Sequence, residues 1–228
     1  MRLFELAYCC RLYAEGTGYD VALARFLEGT NGAVDLNDAA HRALTLQWLR
    51  DWGCRSLRRE DDERSSETLW DWWSKWSDAL PAPDVTLDSL GDGGLDTASQ
   101  AYGDLAQRIG PRRQLPERLI DVRFGPTTAG KAMYAVRPNA LLPWDDAIRK
   151  KLGYGEDAGS YRRALVRARS ELEEAVEDAD IDPHELPALI GRPQSTPAKL
   201  VDEHDWVRYT LGHEPPTRPE LERWLGWL

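Results

Sequence analysis

Residues suited to binding an anion open a helical segment in the middle of the chain. Gly125-Pro126 predicts a turn, and Thr127, Thr128 and Lys131 lie in the first turns of the apolar helix that follows. The first amide groups of a helix lack intrahelical acceptors and carry a partial positive charge. Together with the lysine ammonium they can hold a phosphate, so this helix start is a candidate anion site.

A carboxylate begins the next helix along the chain. Asp145 follows Pro143-Trp144 and precedes a helix over residues 147–152, with Gly153 as its stop. A carboxylate held at a helix start can stabilise developing positive charge or orient an attacking water. It can equally serve only as an N-cap. Of the two neighbouring aspartates, we expect Asp146 to be the cap, which would leave Asp145 free.

The segment 124–153 resembles the helix-hairpin-helix DNA glycosylase superfamily that includes endonuclease III and adenine glycosylases. In that family a Gly-x-Gly hairpin opens an amphipathic helix, and a Pro-x-Asp turn opens the next one. Gly125-Pro126-Thr127 is similar to the first element and Pro143-Trp144-Asp145 to the second. The threonine and the aspartate are 18 positions apart, as are the lysine slot and the aspartate of the family. Arg123 replaces the first glycine of the hairpin.

The resemblance implies an enzyme that flips a modified base out of duplex DNA and hydrolyses its N-glycosidic bond. Asp145 would be the catalytic carboxylate. Lyase-competent members carry a lysine where this chain has Thr127, so no lyase step is expected. The residues expected to contact DNA are Arg123, Gly125, Thr127, Thr128, Lys131, Arg149 and Lys150. Lys131 has a phosphate or surface role in this interpretation rather than a nucleophilic one.

Three residues are candidates for a base pocket. Gln47 qualifies only by its position on an early helix, where a helix-surface role is the alternative. Trp48 and Trp144 have rings that could stack on a base, although the core is the preferred location for Trp144. The tryptophans over residues 70–76 pose the same choice, and a helix–helix core is favoured there.

The distribution of charge is uneven. A net charge of −10 argues against a generic nucleic-acid binder. Between residues 105 and 155, however, ten basic residues accompany four acidic ones, so this segment carries +6 and the remainder −16. A basic face on an acidic body can bind phosphate while the body discourages non-specific contacts. A merely solvated basic surface would give the same counts.

Cysteine usage and hydropathy limit cofactors and location. Three cysteines cannot form a disulfide framework, a four-cysteine zinc site or a four-cysteine iron–sulfur cluster. We therefore expect no metal and no cofactor. No run reaches the roughly 18 apolar residues of a membrane span. Glu5 and Arg11 interrupt the apolar N-terminal stretch, which argues against a secretory signal. We expect a cytoplasmic monomer without membrane contact.

Helical periodicity dominates the chain, and no period-2 run of any length occurs. We predict an all-α fold in which residues 1–228 form one unit, and the resemblance implies two helical lobes with a cleft. The Pro- and Gly-rich segment 80–96 is the candidate lobe boundary. Residues 116–153 hold the hairpin and the aspartate, with a helix from Pro116 to Val122 leading into them.

Proline and capping patterns mark the last helices. Asp182-Pro183 and Thr196-Pro197 each predict a helix start, and residues 217–228 predict a terminal docking helix that buries Leu221, Trp224, Leu225 and Leu228.

Three functions remain open from the sequence. The first is a monofunctional glycosylase acting on a modified or damaged base in double-stranded DNA. The second is a non-catalytic helix-hairpin-helix protein that binds DNA. The third is a helical interaction protein whose tryptophans and acidic surface meet another protein.

Overall fold

A computed structural model describes residues 1–225, apart from the side chains of Gln114, Arg218, Leu221, Trp224 and Leu225. It is 61% helical and 5% strand, which confirms a fold dominated by helices. The helices are α1 (Leu3–Gly16), α2 (Tyr19–Gly29), α3 (Ala39–Asp51), α4 (Asp62–Trp76), α5 (Asp92–Gln107), α6 (Gly125–Val136), α7 (Asp146–Lys151), α8 (Ala158–Ala179), α9 (Leu186–Leu189), α10 (Pro197–Asp205) and α11 (Arg218–Leu225). The strands are β1 (Ile109–Gln114) and β2 (Leu119–Arg123).

Two irregular helical turns extend this framework. A 3-10 turn, Arg59–Asp61, leads into α4, and a π-helical turn, Trp206–Thr210, continues α10. None of the described helices is long and apolar enough to cross a bilayer. The predicted docking side chains of the C-terminal helix lie outside the described residues.

Two helix starts were predicted from a capping residue followed by proline, and the structure has one of them. Thr196 accepts a hydrogen bond from the amide of Lys199 at 3.2 Å, and a proline occupies the first turn, so this predicted start is confirmed. The start predicted at Asp182 is wrong. Its carboxylate accepts from the amide of His184 at 2.8 Å and closes a local turn, and α9 begins only at Leu186.

A β-hairpin occupies the region where a helix was expected. The prediction of a helix from Pro116 to Val122 is wrong, because β1 and β2 pair there as an antiparallel hairpin with an irregularity in β1. The paired residues are Ile109 with Arg123, Arg112 with Asp121, Arg113 with Ile120, and Gln114 with Leu119. In β2, exposed and half-buried residues alternate without a buried apolar face, so the sequence carries no strong strand signal. The all-α prediction fails at this hairpin.

The hairpin is fixed to α4 and to the turn before it. Arg64 forms an ion pair with Asp121, and the hydroxyl of Thr68 donates to the carbonyl of Ile109 at 2.9 Å. Arg112 bonds to buried Asp61 through its Nε, at 2.6 Å from Oδ1. These contacts hold the strand that leads into α6.

The buried apolar residues form one large core and a smaller cluster of Cys9, Tyr13 and Val207. The large core includes residues on both sides of the segment 80–96, and α5 already begins at Asp92 within that segment. The position of a lobe boundary therefore stays a prediction. Trp72 and Trp73 lie in this core, and the indole of Trp72 donates to the carbonyl of Ala101 at 2.9 Å. The core location favoured for these tryptophans is confirmed.

Candidate active site

Close packing against α6 positions the loop that carries Asp145. A Cβ at Gly130 would lie 2.2 Å from the Cβ of Trp144 and 2.8 Å from its backbone nitrogen, so only glycine permits this approach. The Trp144 ring is buried and packs on Tyr154 and Tyr161 from the other side. Trp144 is therefore a core anchor and not part of a base pocket. Its burial fixes the next residue, Asp145, with little freedom.

Asp145 caps its helix and also faces a second partner. Its Oδ1 accepts from the amide of Ala147 at 3.3 Å, while its Oδ2 lies 3.7 Å from the Nζ of Lys131. The expectation that Asp146 is the cap and Asp145 is free is wrong. Asp146 instead pairs with Arg149 and Lys150 on its own helix. The Oδ2 of Asp145 therefore takes no part in capping the helix.

Lys131 is a pocket residue and not a surface residue. Its ammonium donates to the carbonyl of Trp52 at 2.5 Å and lies 5.6 Å from the centre of the Trp52 ring. The side chain is only 10% exposed. The surface alternative for Lys131 is therefore wrong, and its amine is fixed beside Asp145.

An aromatic cleft opens on one side of this pair. Two edge-to-face pairs of rings, Tyr13 with Trp206 and Tyr19 with Trp52, line it. Its remaining lining residues are Lys131, Pro143, Asp145 and Asp202. The cavity measures about 30 Å³, which is room for about two water molecules. A base could enter only if rings move, and Tyr19 and Trp206 are the less buried of the four.

A wide groove of about 640 Å³ opens on the other side. The start of α6 forms its floor, where Gly125 has φ +75° and no side chain caps the helix. The predicted residues Gly125, Thr127, Thr128 and Lys131 line this groove with Asp145. The structure thus brings the predicted anion site and the predicted carboxylate together. The cleft and the groove share Tyr19, Trp52, Lys131 and Asp145.

Not every predicted DNA contact is available. Arg149 is 3% exposed and pairs with Asp146 and Glu156, so its guanidinium cannot reach a phosphate, and that prediction is wrong. Lys150 is exposed but pairs with Asp146 at 2.7 Å. Arg123 is exposed at the end of β2, just before the groove.

The other two pocket candidates lie elsewhere. Gln47 donates to Asp51 at 2.8 Å and accepts from Arg50 at 3.2 Å, and it lines neither the cleft nor the groove. Trp48 is buried and stacks on Phe26 at a ring distance of 5.0 Å. It supports the cleft only indirectly, through its contact with Trp52 at 4.4 Å.

A buried charge network supports the inner wall of the cleft. The ammonium of Lys199 lies 2.7 Å from Asp202 and 3.9 Å from Glu203, and Arg192 bonds to Glu203 at 2.8 Å. The same ammonium lies 4.2 Å from the centre of the Tyr13 ring. Sequence reasoning missed these residues. The only signal is the spacing of 199, 202 and 203, which places them on one helix face.

Burial and pairing shift the protonation of this network. Burial raises the pKa of Asp202, and the nearby Asp145 raises it further, whereas Lys199 opposes both. Burial alone would lower the pKa of Lys199, but Asp202, Tyr13 and Glu203 raise it well above its usual value. Lys199 therefore remains a cation inside the protein.

The comparisons with known proteins identify no relative: no family model, curated protein or solved structure matches the chain. In the described part of the chain, no group of three or more His, Cys, Asp or Glu side chains could hold a metal ion.

Proposed function

We propose that the protein is a monofunctional DNA glycosylase-like hydrolase that flips a modified base and cleaves its N-glycosidic bond with Asp145. One observation carries the proposal. The Oδ2 of Asp145, which takes no part in the helix cap, is paired with Lys131 at 3.7 Å, where an aromatic cleft meets a groove floored by an uncapped helix start. The cleft offers rings for a base, and the groove offers amides and an ammonium for a phosphate.

The residues present suit the charge changes of this reaction. When the bond between the sugar C1′ and the base nitrogen breaks, the electron pair leaves with the base, and positive charge develops on the sugar. A carboxylate that is already positioned stabilises that charge without reorganisation. Water then adds to C1′ and releases a proton to the Asp145 carboxylate, while the departed base takes up a proton from solvent. Asp145 afterwards returns its proton to solvent. Lys131 would hold the carboxylate oriented from the opposite side.

A second candidate function is DNA binding without catalysis. It is favoured by the small volume of the cleft, about 30 Å³, which is less than a base occupies. The hydrogen bond from Ala147 to Asp145 supports it as well, since the cap alone would explain the residue. The protein-interaction alternative has less support, because Trp70 is the one tryptophan among the large hydrophobic residues found exposed in the described chain.

Binding to a duplex that contains a cationic abasic-sugar mimic tests the proposal. The mimic resembles the charged transition state, so the wild-type protein should prefer it over the unmodified duplex by about 100-fold or more. Asp145→Asn removes the charge but keeps a side chain that caps helices well. We expect this variant to lose the preference and to retain binding to the unmodified duplex.

Asp146→Asn is the matched control, because it neutralises the adjacent carboxylate, which lines the groove but not the cleft. It should keep the preference for the mimic. Equal, salt-dependent binding of both duplexes by the wild-type protein would favour the non-catalytic function. No binding to either duplex at low salt would favour a protein partner.

A further inference from the structure

An arginine cavity adjoins the groove at the β-hairpin. It measures about 130 Å³, and its lining consists of Arg55, Ser56, Arg58, Arg112, Arg113 and Val122. No acidic side chain among the described residues lines it. Four arginines line one small cavity, so an anion bound there would have several cationic side chains within reach.

The four arginines differ in how they are held. Arg112 is anchored, because Asp61 accepts from its Nε at 2.6 Å and from its amide at 2.9 Å. Arg58 has only a loose contact with Glu60 at 3.7 Å. Arg55 and Arg113 are exposed, and neither has an ion-pair partner within the described residues. One arginine therefore fixes the cavity while the others can turn towards a ligand.

The arginine cavity is continuous with the candidate active site. Arg55 and Ser56 line both this cavity and the groove, and the groove is also lined by Lys131 and Asp145. A bound strand could thus run from Asp145 across the start of α6 to the hairpin. Guanidinium groups form paired, planar hydrogen bonds to phosphate oxygens, which makes arginine well suited to this end of the path.

We propose that the arginine cavity binds a backbone phosphate of the DNA strand whose nucleotide is presented to Asp145. This inference rests on the proposed function, because that function supplies the strand. A phosphate held in the cavity would determine which nucleotide of the strand lies at Asp145. It would not distinguish one base from another. In this proposal the β-hairpin, which lies where a helix was expected, binds the sugar-phosphate backbone of the DNA.

The double variant Arg55→Gln/Arg113→Gln tests this site while leaving Arg112 and its buried partner intact. Binding is measured over a range of salt concentrations, with both the mimic duplex and the unmodified duplex. Each lost phosphate contact lowers the slope of log affinity against log salt by about one, and the cavity holds one phosphate, so we expect the slope to fall by about one. Affinity at fixed salt should fall about tenfold for both duplexes, and the preference for the mimic should not change.

The control is Arg11→Gln/Arg25→Gln, which removes the same charge from exposed positions on α1 and α2. It should leave the slope nearly unchanged. A slope and affinity equal to those of the wild-type protein in the double variant would overturn the phosphate site. If the slope falls but the wild-type protein never preferred the mimic, the phosphate site stands and the glycosylase proposal fails. If the wild-type protein binds neither duplex, both proposals fail.

Discussion

Two charged regions flank Asp145: the buried network under the cleft and the arginine cavity. They differ in how their cations are neutralised. In the buried network under the cleft, Lys199 and Arg192 each have an acidic partner within 3 Å. In the arginine cavity, Arg55 and Arg113 have no such partner in the described chain. Both regions are cationic at their centres. They differ in whether the protein itself supplies the anion.

This difference separates charges that belong to the fold from charges that are available to a ligand. A buried ion that loses its partner retains the full cost of desolvation, whereas a solvated arginine loses little. The cleft side should therefore respond to substitution mainly in stability, and the cavity side mainly in binding. The following predictions test that division, beginning with the largest expected effect.

Lys199→Met should lower the free energy of unfolding by about 3–5 kcal/mol, because it leaves Asp202 and Glu203 buried without their shared cation. Urea denaturation at pH 7 measures the change. Burial raises the pKa of Asp202, so Asp202 is protonated at a higher pH in the folded protein than in the unfolded chain. Protonation removes its unpaired charge, and the loss of stability should therefore shrink as the pH falls towards 4. Arg113→Gln is the contrast and should stay within about 0.5 kcal/mol. Equal losses in the two variants would refute the division.

Gly130→Ala should lower the free energy of unfolding by about 1–3 kcal/mol, because the new methyl group meets the backbone and Cβ of Trp144. The displaced loop carries Asp145, so the preference for the mimic duplex should fall as well. Gly93→Ala in α5 is the matched control, since a Cβ there meets nothing within 4 Å. Thermal unfolding should show the control at or slightly above wild-type stability. A control as unstable as Gly130→Ala would contradict the packing argument.

Asp61→Asn should have the smallest effect, about 1 kcal/mol above pH 5, since Arg112 is partly exposed and solvent screens the pair. Burial would raise the pKa of Asp61, but its bonds with Arg112 outweigh burial and lower it. Stability from this group is thus present above the pKa of the unfolded chain and lost as the pH falls through the folded value.

Wild-type and Asp61→Asn stabilities should therefore converge towards pH 2, and unfolding curves at several pH values measure this. Glu117→Gln, at the exposed turn of the hairpin, serves as the control and should follow the wild-type protein throughout. A constant difference between Asp61→Asn and wild type at every pH would exclude the ion pair as its cause.

Much of the fold could be predicted because its helices carry local signals. Helical periodicity along the chain predicted a helix-dominated fold, and the cap at Thr196 predicted the start of α10. The hairpin could not be predicted in this way. Its second strand, β2, has no buried apolar face, and the position of the hairpin depends on contacts with Arg64, Asp61 and Thr68, which are distant in sequence.

The candidate site was predictable only where its residues share one segment. The grouping of Thr127, Lys131 and Asp145 followed from the spacing along a single stretch. The rings of the cleft come from α1, α2, the end of α3 and the turn after α10, so no local pattern unites them. Lys199 resembles any helical lysine in the sequence. Only tertiary burial makes it a core cation.

The position of Lys131 has a consequence for chemical labelling. The chain has five lysines, and Lys75, Lys150 and Lys151 are exposed, whereas Lys131 and Lys199 are buried at the cleft. An amine-reactive reagent would therefore modify the exposed three first. Modification of Lys131 would follow only when its ammonium leaves the carbonyl of Trp52 and the carboxylate of Asp145. The rate of acylation at Lys131 thus reports how often these two contacts break.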